Sequence, residues 1–280
     1  MSEFRRRLMM AKVNRVPPIT KDYLKFSVLT NGTITVTVGW HLTTSDLNYL
    51  LYSKDNGVTW TKLENTDRTS GTSIIGSFNV VAGDVVLWKG DAIRLGNGNS
   101  DFYTTRFGGT SSFDISGNIM SLLSNDFEEM TTMNYSYQFA FLFSTAKVVN
   151  AKNLILPTNT QPQCYFRMFK GVTTLVTTPF LPATSTESQC YYGMFDGASN
   201  VNYIKAMHIN NSYNNSMSYW VRNVAASGVF VKNIDAEWTN VGIDGVPTGW
   251  TTIYYDLSED KYYTDQTKTQ ECDDHGNVIN

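Results

Sequence analysis

The sequence CYFRMFKG, from Cys164 to Gly171, recurs as CYYGMFDG from Cys190 to Gly197. The two copies lie 26 residues apart, and apolar pairs continue the same step before and after them. A fixed period of this length predicts a solenoid, in which each unit packs mainly on its neighbours. Solenoids generally present binding or scaffolding surfaces, so the repeat favours recognition over catalysis. We expect the repeat core to consist of Phe143, Cys164, Met168, Phe169, Cys190, Met194, Phe195 and Trp220.

Within one unit, the residue pattern predicts a short helix from Gln163 to Phe169, because apolar side chains recur four residues apart. Gly171 follows at the position where a left-handed residue ends a helix. Residues 175–178 then predict a strand. Pro182 is expected to turn the chain toward the next unit, because proline lacks the N–H group that a sheet needs.

The N-terminal half predicts short β-strands instead. Residues 33–38 alternate between polar and apolar side chains directly after Asn31-Gly32, which is a hairpin signal. A similar β-prone run follows at residues 48–53. Several short strands at this spacing predict a small β-sandwich over residues 18–113.

A tight turn in this half has the pattern Ser53-x-Asp55-x-Gly57-x-Thr59-Trp60, which resembles the Asp-box hairpin of sialidases and of many unrelated β proteins. Asp55 is expected to accept backbone N–H bonds, Gly57 to take a positive φ, and Trp60 to pack under the hairpin. The motif occurs once, and the arginine cluster of a sialidase site has no visible counterpart. We therefore favour a structural hairpin over a sialidase.

The composition indicates a polar but weakly charged surface. Charged residues make up 17% of the chain, against roughly 25% in an average globular protein, while aromatic residues make up 13%. The net charge of −3 predicts no nucleic-acid partner. No apolar stretch is long enough for a transmembrane helix, so we expect no membrane insertion.

The N-terminus combines a basic turn with an apolar one. The apolar part is interrupted at Lys12, so it lacks the hydrophobic region of a signal peptide, and we expect no signal peptide. Residues 1–17 predict either a disordered tail or an anchoring arm that becomes ordered against a partner. In the second case the anchoring residues are Phe4, Arg5, Arg6, Arg7, Leu8, Met9 and Met10.

The units Leu-Pro-(Ala/Thr)-Thr … Cys-Tyr-x-x-Met-Phe-x-Gly resemble BspA-type leucine-rich repeats of surface proteins from gut Bacteroidetes. The likeness covers residues 140–233, and residues 246–250 are similar to the usual ending. Residues 1–10, MSEFRRRLMM, resemble a leader shared by otherwise unrelated proteins of Bacteroides phages, including crAss-like phages. Together the two resemblances imply a virion protein assembled in the host cytoplasm, such as a head or tail fibre or decoration subunit. They imply attachment to a host glycan or protein, with no catalytic residue, cofactor or metal.

The predicted fold is therefore mainly β with short helices, an α+β chain. In it, an N-terminal β-sandwich precedes a short leucine-rich-repeat solenoid with a period of about 26 residues. We expect four parts: an arm over residues 1–17, the sandwich over 18–113, the solenoid over 114–233, and a C-terminal cap and tail over 234–280.

Two other functions compete with the virion role. A bacterial surface adhesin with the same repeats would need an export route, which the N-terminus does not show. A glycan-active enzyme would need two carboxyl groups about 5–5.5 Å apart or somewhat more. Its candidate acids lie outside any recognisable motif: Glu128, Glu129, Asp235, Glu237 and Asp244. Four residues near the C-terminus favour a polar turn, with a metal site as the alternative, and their spacing is not that of an EF-hand: Asp273, Asp274, His275 and Asn277.

Cysteine and tyrosine positions add two expectations. Cys164 and Cys190 occupy the same place in adjacent units and should be small buried hydrophobes without a disulfide, because packed helices are about 8–10 Å apart. Fibre and decoration proteins are usually symmetric, so we expect a homo-oligomer. The exposed aromatic residues expected between its subunits are Tyr254, Tyr255, Tyr262 and Tyr263.

Overall fold

The computed structural model describes residues 21–39, 47–63, 73–100, 103–210 and 215–279. The predicted arm lies outside these ranges, with all of its anchoring positions: Phe4, Arg5, Arg6, Arg7, Leu8, Met9 and Met10. Strand accounts for 36% of the chain and helix for 3%, so the prediction of a mainly β chain is confirmed.

The strands of the described residues fall into two sheets. The first contains β1 (Leu24–Val28), β2 (Gly32–Val38), β3 (Leu47–Ser53), β4 (Thr61–Lys62), β5 (Ser73–Val80), β6 (Val85–Ala92), β7 (Arg106–Asn118), β8 (Thr145–Val148) and β9 (Asn153–Ile155). The second contains β10 (Thr177–Leu181), β11 (Tyr203–Ala206), β12 (Val229–Asn233), β13 (Thr251–Asp256), β14 (Lys261–Tyr263) and β15 (Glu271–Cys272). Short helical turns span Ile119–Leu122 and Phe127–Glu129.

Strand β7 organises the first sheet. Its N-terminal half pairs antiparallel with β2, where Val36 lies opposite Phe107, and its C-terminal half pairs antiparallel with β1, where Phe26 lies opposite Ile115. Beyond these strands, β5 pairs with β2, while β6, β3 and β4 follow β1. The first sheet is curled, and its long strand β7 pairs with β2 and β1 in succession along its length.

Aromatic side chains fill the space inside the curled sheet. Phe26 stacks on Phe113 with ring centroids 4.4 Å apart, and Trp88 packs against Phe107 at 4.7 Å. All four are buried, and rings of this size dominate the hydrophobic stabilisation of a core. The alternation predicted for residues 33–38 is confirmed, because the apolar members are buried and the threonines are only half-buried. The hairpin signal at Asn31-Gly32 is wrong, because β1 and β2 on either side of it pair with β7 and not with each other.

The two halves of the chain share one core. Strand β7 pairs in parallel with β8 and β9, so the boundary expected at residue 114 lies inside a strand that belongs to both halves. Phe107 of the first half stacks on Phe143 of the second, with centroids 5.7 Å apart. One cluster of buried apolar side chains extends from Leu24 to Trp250.

The short helix predicted for each unit is wrong. Residues 163–169 form consecutive tight turns in which alternate N–H groups bond three residues back, as Phe166 does to Gln163. The N–H groups between them bond to the next unit, as Tyr165 does to the carbonyl of Cys190 at 3.0 Å. An α-helix would instead direct each N–H to the fourth residue back in the same unit. We call these stacked segments the turn layer, residues 137–144, 163–171, 189–197 and 215–223.

The units that begin at residues 163, 189 and 215 contribute β10, β11 and β12 to the second sheet, where β13 joins them in parallel. The strands that follow the first unit, β8 and β9, belong to the first sheet instead. Ile204 lies opposite Phe230, which is 26 residues later and matches the period of the repeat. The step is not kept at the ends of this set of strands, because Phe230 lies opposite Thr252, 22 residues later, and the pairing of β10 with β11 shifts between Thr177 and Phe180. The strand expected at residues 175–178 is displaced toward the C-terminus. It ends directly before Pro182, which confirms the predicted role of that proline.

A C-terminal hairpin continues this sheet, because β14 turns back antiparallel along β13. Apolar side chains of the hairpin and of the sheet form a second, smaller cluster, which includes Val231, Ile253 and Cys272. The ammonium group of Lys205 lies 3.2 Å from the ring centroid of Tyr255 and donates a 2.8 Å hydrogen bond to the hydroxyl of Tyr262. Tyr255 and Tyr263 are buried within their own chain. The prediction that these two rings are exposed for subunit contacts is therefore wrong.

Candidate binding surface

The turn layer places a residue with positive φ at every fourth position. The φ angles are 58° at Gln163, 53° at Arg167 and 73° at Gly171, and the neighbouring units repeat these positions. A left-handed residue that carries a side chain costs about 1–2 kcal/mol. The hydrogen bonds between units hold the backbone in this conformation, and the repeated turns place equivalent side chains in columns.

The residues predicted for the repeat core all lie in the interior and have no exposed surface. They are Phe143, Cys164, Met168, Phe169, Cys190, Met194, Phe195 and Trp220. The phenylalanines form one column, with successive ring centroids 5.3 and 5.8 Å apart. Burial raises the pKa of the Cys164 thiol and raises the pKa of Cys190 to about 12. Both cysteines are free, and their thiols stay protonated at neutral pH, which makes them poor nucleophiles.

A second row of aromatic side chains lies on the outer side of the turn layer. Phe166 stacks on Tyr192 with ring centroids 4.8 Å apart, and Tyr219 packs edge-on against Tyr192 at 5.6 Å. Phe141 extends the row on the other side, 5.8 Å from Phe166. Exposure rises from 4% at Phe166 to 38% at Tyr219. The row thus begins as a small buried cluster and ends as an exposed aromatic ring.

Two arginines cover this row. The guanidinium of Arg167 lies 5.0 Å from the ring centroid of Phe166 and 5.5 Å from that of Tyr192. The guanidinium of Arg222 lies 4.8 Å from the ring of Tyr219. A cation over a ring face is attracted by the ring quadrupole, so the arginines help to hold the rings in place. We call this set the aromatic–arginine face: Phe141, Phe166, Arg167, Tyr192, Tyr219 and Arg222.

The charges of the two arginines are compensated differently. Arg222 is paired with the carboxylate of Asp196, and the hydrogen bonds of this pair raise the pKa of Arg222. Arg167 forms no ion pair with any described residue, and its buried Nε–H group has no acceptor among them. The face therefore combines ring surfaces, tyrosine hydroxyls and one uncompensated cation. Such a combination can bind a flat or acidic partner, but it contains no nucleophile paired with a base.

The Asp-box-like hairpin has the predicted geometry. The carboxylate of Asp55 accepts the N–H of Thr59 at 2.9 Å and the hydroxyl of Ser53 at 2.7 Å. Gly57 has a φ of 82°, and the indole N–H of Trp60 donates to its carbonyl at 3.1 Å. The hydrogen bonds to Thr59 and Ser53 lower the pKa of Asp55 to about 2. These groups are engaged within the hairpin, as expected of a structural motif.

The acidic cluster near the C-terminus forms a turn. Asp273, Asp274 and His275 bring potential metal ligands within 4.8 Å of one another. However, the Asp273 carboxylate accepts the N–H of His275 at 2.9 Å and the N–H of Asn277 at 2.8 Å. These hydrogen bonds are those of the polar turn that the residue pattern favours.

The other candidate carboxylates are dispersed along the chain. Asp244 accepts the backbone N–H of Tyr219 at 2.6 Å and so supports the exposed end of the aromatic–arginine face. The remaining acids lie in the helical turn before the turn layer and in the segment after β12: Glu128, Glu129, Asp235 and Glu237.

Comparisons with known proteins give no assignment: no family model, no curated protein and no solved structure matches the chain. Among the described residues, no helix has the length and apolar character needed to cross a membrane.

Sequence reasoning missed most of the aromatic–arginine face. The helix prediction put Cys164 and Phe169 on the buried side but gave no outer row. One position that contributes to the face varies in residue type between units, with Phe141, Arg167, Gly193 and Tyr219 at equivalent places. The adjacent aromatic pair at Tyr191 and Tyr192 was the available signal, because neighbouring residues in an extended or turn segment point to opposite sides.

Proposed function

We propose that the chain is a structural protein of a phage virion, a head or tail fibre or decoration subunit that also attaches to the host. In this proposal the stacked units are a short leucine-rich-repeat solenoid and the curled first sheet is a β-sandwich. The arm, Phe4 to Met10, docks to other virion proteins, and the protein acts as a homo-oligomer. The particle role is supported by the resemblance of residues 1–10 to a phage leader.

The observation that carries the attachment role is the exposed end of the aromatic–arginine face. The ring of Tyr219 is 38% exposed, yet it is held by Tyr192 and Arg222, and its backbone N–H is held by Asp244. A ring that is already fixed loses little side-chain entropy when a partner binds. Rigid tyrosines and arginines of this kind carry much of the binding energy at recognition surfaces.

The chemistry of the face indicates the kind of partner. The ring of Tyr219 offers a flat apolar surface for the C–H face of a sugar or for an apolar side chain. Arg167 adds a positive charge that no described residue pairs with. We therefore expect the partner to be a host surface glycan or protein that carries acidic groups.

Binding of the labelled full-length chain to host cells tests the attachment role. Tyr219→Ala removes the exposed ring and should weaken cell binding by about tenfold, because a single anchor residue contributes more than 1 kcal/mol. Tyr254→Ala is the matched control, since Tyr254 is a partly exposed tyrosine on the second sheet. If Tyr219→Ala binds as well as the wild type, the face is not the attachment surface. An equal loss in both variants would also reject it.

A further inference from the structure

The two ends of the aromatic–arginine face differ in charge. At the exposed end, the guanidinium of Arg222 is paired with the carboxylate of Asp196 through hydrogen bonds of 2.9 and 2.7 Å, so this end is close to neutral. Two units earlier, Arg167 has neither an ion pair nor a hydrogen bond from its side chain to any described residue. An arginine is always protonated in a protein, so the face carries its unpaired positive charge at Arg167.

Arg167 presents one edge of its guanidinium to a partner. The Nε–H group is buried against the rings of Phe166 and Tyr192, whose centroids lie 5.0 and 5.5 Å from the guanidinium. The two terminal amino groups also lack an acceptor among the described residues, but unlike Nε they are not buried. Two amino groups at one edge of a planar guanidinium match two oxygens of an oxyanion.

The next unit holds the Arg167 side chain in place. Gly193 occupies the equivalent position there, and a Cβ atom on it would lie 3.1 Å from Cγ of Arg167, which is closer than an ordinary contact. Arg167 and Tyr219 adopt the same left-handed conformation with side chains, so the backbone does not require glycine at this position. Gly193 instead leaves the space in which Arg167 packs. A side chain that is already packed loses little entropy when a ligand binds.

Tyr192 lies between this cation and the exposed ring of Tyr219. The centroid of its ring is 5.5 Å from the Arg167 guanidinium and 5.6 Å from the centroid of the Tyr219 ring. The cation and the exposed ring are therefore one aromatic ring apart along the row, and a ligand with two linked rings can contact both. The tyrosine hydroxyls add groups that both donate and accept hydrogen bonds.

The small exposed apolar area favours a glycan over a protein as this ligand. Phe141 and Phe166 are 6% and 4% exposed, whereas Tyr219 is 38% exposed. A stable protein interface buries about 800 Å² on each partner and surrounds its anchor residues with further contacts. One exposed ring beside one cation suits a smaller ligand, in which a sugar C–H face covers the ring and an acid group meets the cation.

From these observations we infer that the aromatic–arginine face binds an acidic disaccharide, with the oxyanion of one sugar on Arg167 and the ring of a neutral sugar on Tyr219. The inference rests on the proposed attachment role and names its ligand. The carboxylate of a uronic acid and a sulfate ester both supply a singly charged oxyanion that one guanidinium neutralises. Arg222 does not take this role, because its charge is already paired with Asp196.

Matched disaccharides test the acid group on the purified full-length chain by titration calorimetry. The acidic ligands join glucuronate, galacturonate or mannuronate to glucose. Each is compared with the same disaccharide after reduction of its carboxyl group to an alcohol, and with the sulfate ester of that alcohol. At least one carboxylate or sulfate form should bind about tenfold more tightly than its neutral counterpart, and added salt should reduce the difference. Which of the two forms binds identifies the oxyanion.

Two charge-removing variants locate the site. Arg167→Gln should lower the affinity for the acidic disaccharide by about tenfold and leave that for the neutral one nearly unchanged. Lys62→Gln removes the same charge from an exposed position on the edge strand β4, outside the turn layer, and should bind like the wild type. Near-ultraviolet circular dichroism checks the folding of both. If Arg167→Gln does not fold, the comparison of acidic with neutral disaccharides decides alone.

Three results would overturn the inference. They are equal binding of the acidic and neutral disaccharides, equal losses in Arg167→Gln and Lys62→Gln, and preferential binding of a peptide of alternating glutamate and glycine. The attachment role is judged separately, by the binding of Tyr219→Ala to cells. A loss on cells without any preference for acidic sugars keeps that role and rejects this ligand. Arg167-dependent sugar binding with normal cell binding of Tyr219→Ala keeps the ligand and rejects the role.

Discussion

The guanidinium of Arg222 forms a two-point ion pair with the carboxylate of Asp196, 26 residues earlier in the chain, with N···O distances of 2.9 and 2.7 Å. The Asp196 side chain is 6% exposed, whereas that of Arg222 is 43% exposed. The pair connects two adjacent units of the turn layer. It also positions Arg222 over Tyr219, at the exposed end of the aromatic–arginine face.

Arg222→Ala should lower the melting temperature by several degrees, because it leaves the carboxylate of Asp196 buried without its partner. Thermal unfolding of Arg222→Ala, Asp196→Ala and the double variant forms a double-mutant cycle that isolates the pair. The double variant should be less destabilised than the sum of the two single variants. Strict additivity would mean that the pair contributes nothing to stability.

Gly171→Ala should destabilise the chain by about 1 kcal/mol in urea unfolding, since Gly171 has a φ of 73° and a Cβ atom there would meet nothing within 4 Å. The cost therefore comes from the backbone conformation alone. Gly171→Asn is the matched control, because Asn223 occupies the equivalent position with a φ of 60°. Asparagine tolerates this region better, so it should cost less than alanine. A larger loss for asparagine would contradict the assigned backbone.

His208 should make stability depend on pH between neutrality and mild acid. Its ring stacks on Trp238 at 4.7 Å, and neither ring nitrogen has a hydrogen-bond partner among the described residues. Burial, followed by the charge of Lys232, lowers the pKa of His208 to about 3. Below the unfolded pKa of about 6.5, the unfolded chain takes up a proton that the folded chain excludes. Stability should therefore fall as pH drops from 6.5 toward 3, by at most about 1.4 kcal/mol per pH unit from this group.

His208→Phe keeps an aromatic ring beside Trp238 and removes the titrating group. Urea unfolding of the wild type and of this variant between pH 7 and pH 5, above the range in which most carboxylates titrate, measures the difference in slope. The variant should show the shallower pH dependence. Identical slopes would show that His208 is not held neutral in the folded chain.

The carboxyl group of Asp55 should titrate at a pKa of about 2, because hydrogen bonds from Thr59 and Ser53 stabilise its charged form. Its contribution to the hairpin is complete above the unfolded pKa and is lost as pH falls through the folded value. Carbon-detected NMR titration of the side chain measures this directly. Thr59→Val should raise the pKa, whereas Lys62→Ala, on the neighbouring strand, should leave it unchanged. An unshifted value in the wild type would reject the hairpin network.

The sequence revealed the repeat period and the hairpin because both depend on local patterns. The 26-residue step predicts which positions are buried, independently of the backbone conformation between them. The hairpin depends on Asp55 and Gly57, whose contacts lie within a few residues of the chain. The helix prediction failed because a four-residue apolar spacing also arises when every fourth residue is left-handed, as at Gln163 and Arg167. Most of these positions hold residues other than glycine, so no residue pattern indicates that their φ angles are positive.

The contact between β6 and the segment that leads into the turn layer could not be predicted, for a different reason. Residues 90–93 and 134–138 are distant in sequence, and no repeat or motif connects them. The backbone approaches closely at Gly90 and Gly96, where a Cβ atom would meet the carbonyl oxygens of Leu122 and Tyr137. The strand order of the first sheet likewise depends on β7 pairing with strands from distant segments, which no single stretch of the chain encodes.

Cryo-electron imaging of purified phage particles in which this protein carries a C-terminal tag tests the proposed virion role. Tag density should appear at a regular position on the head or tail, and it should be lost when residues 1–12 are deleted from the tagged chain. Particles without tag density, with the tagged protein left in the bacterial fraction, would rule out a virion protein.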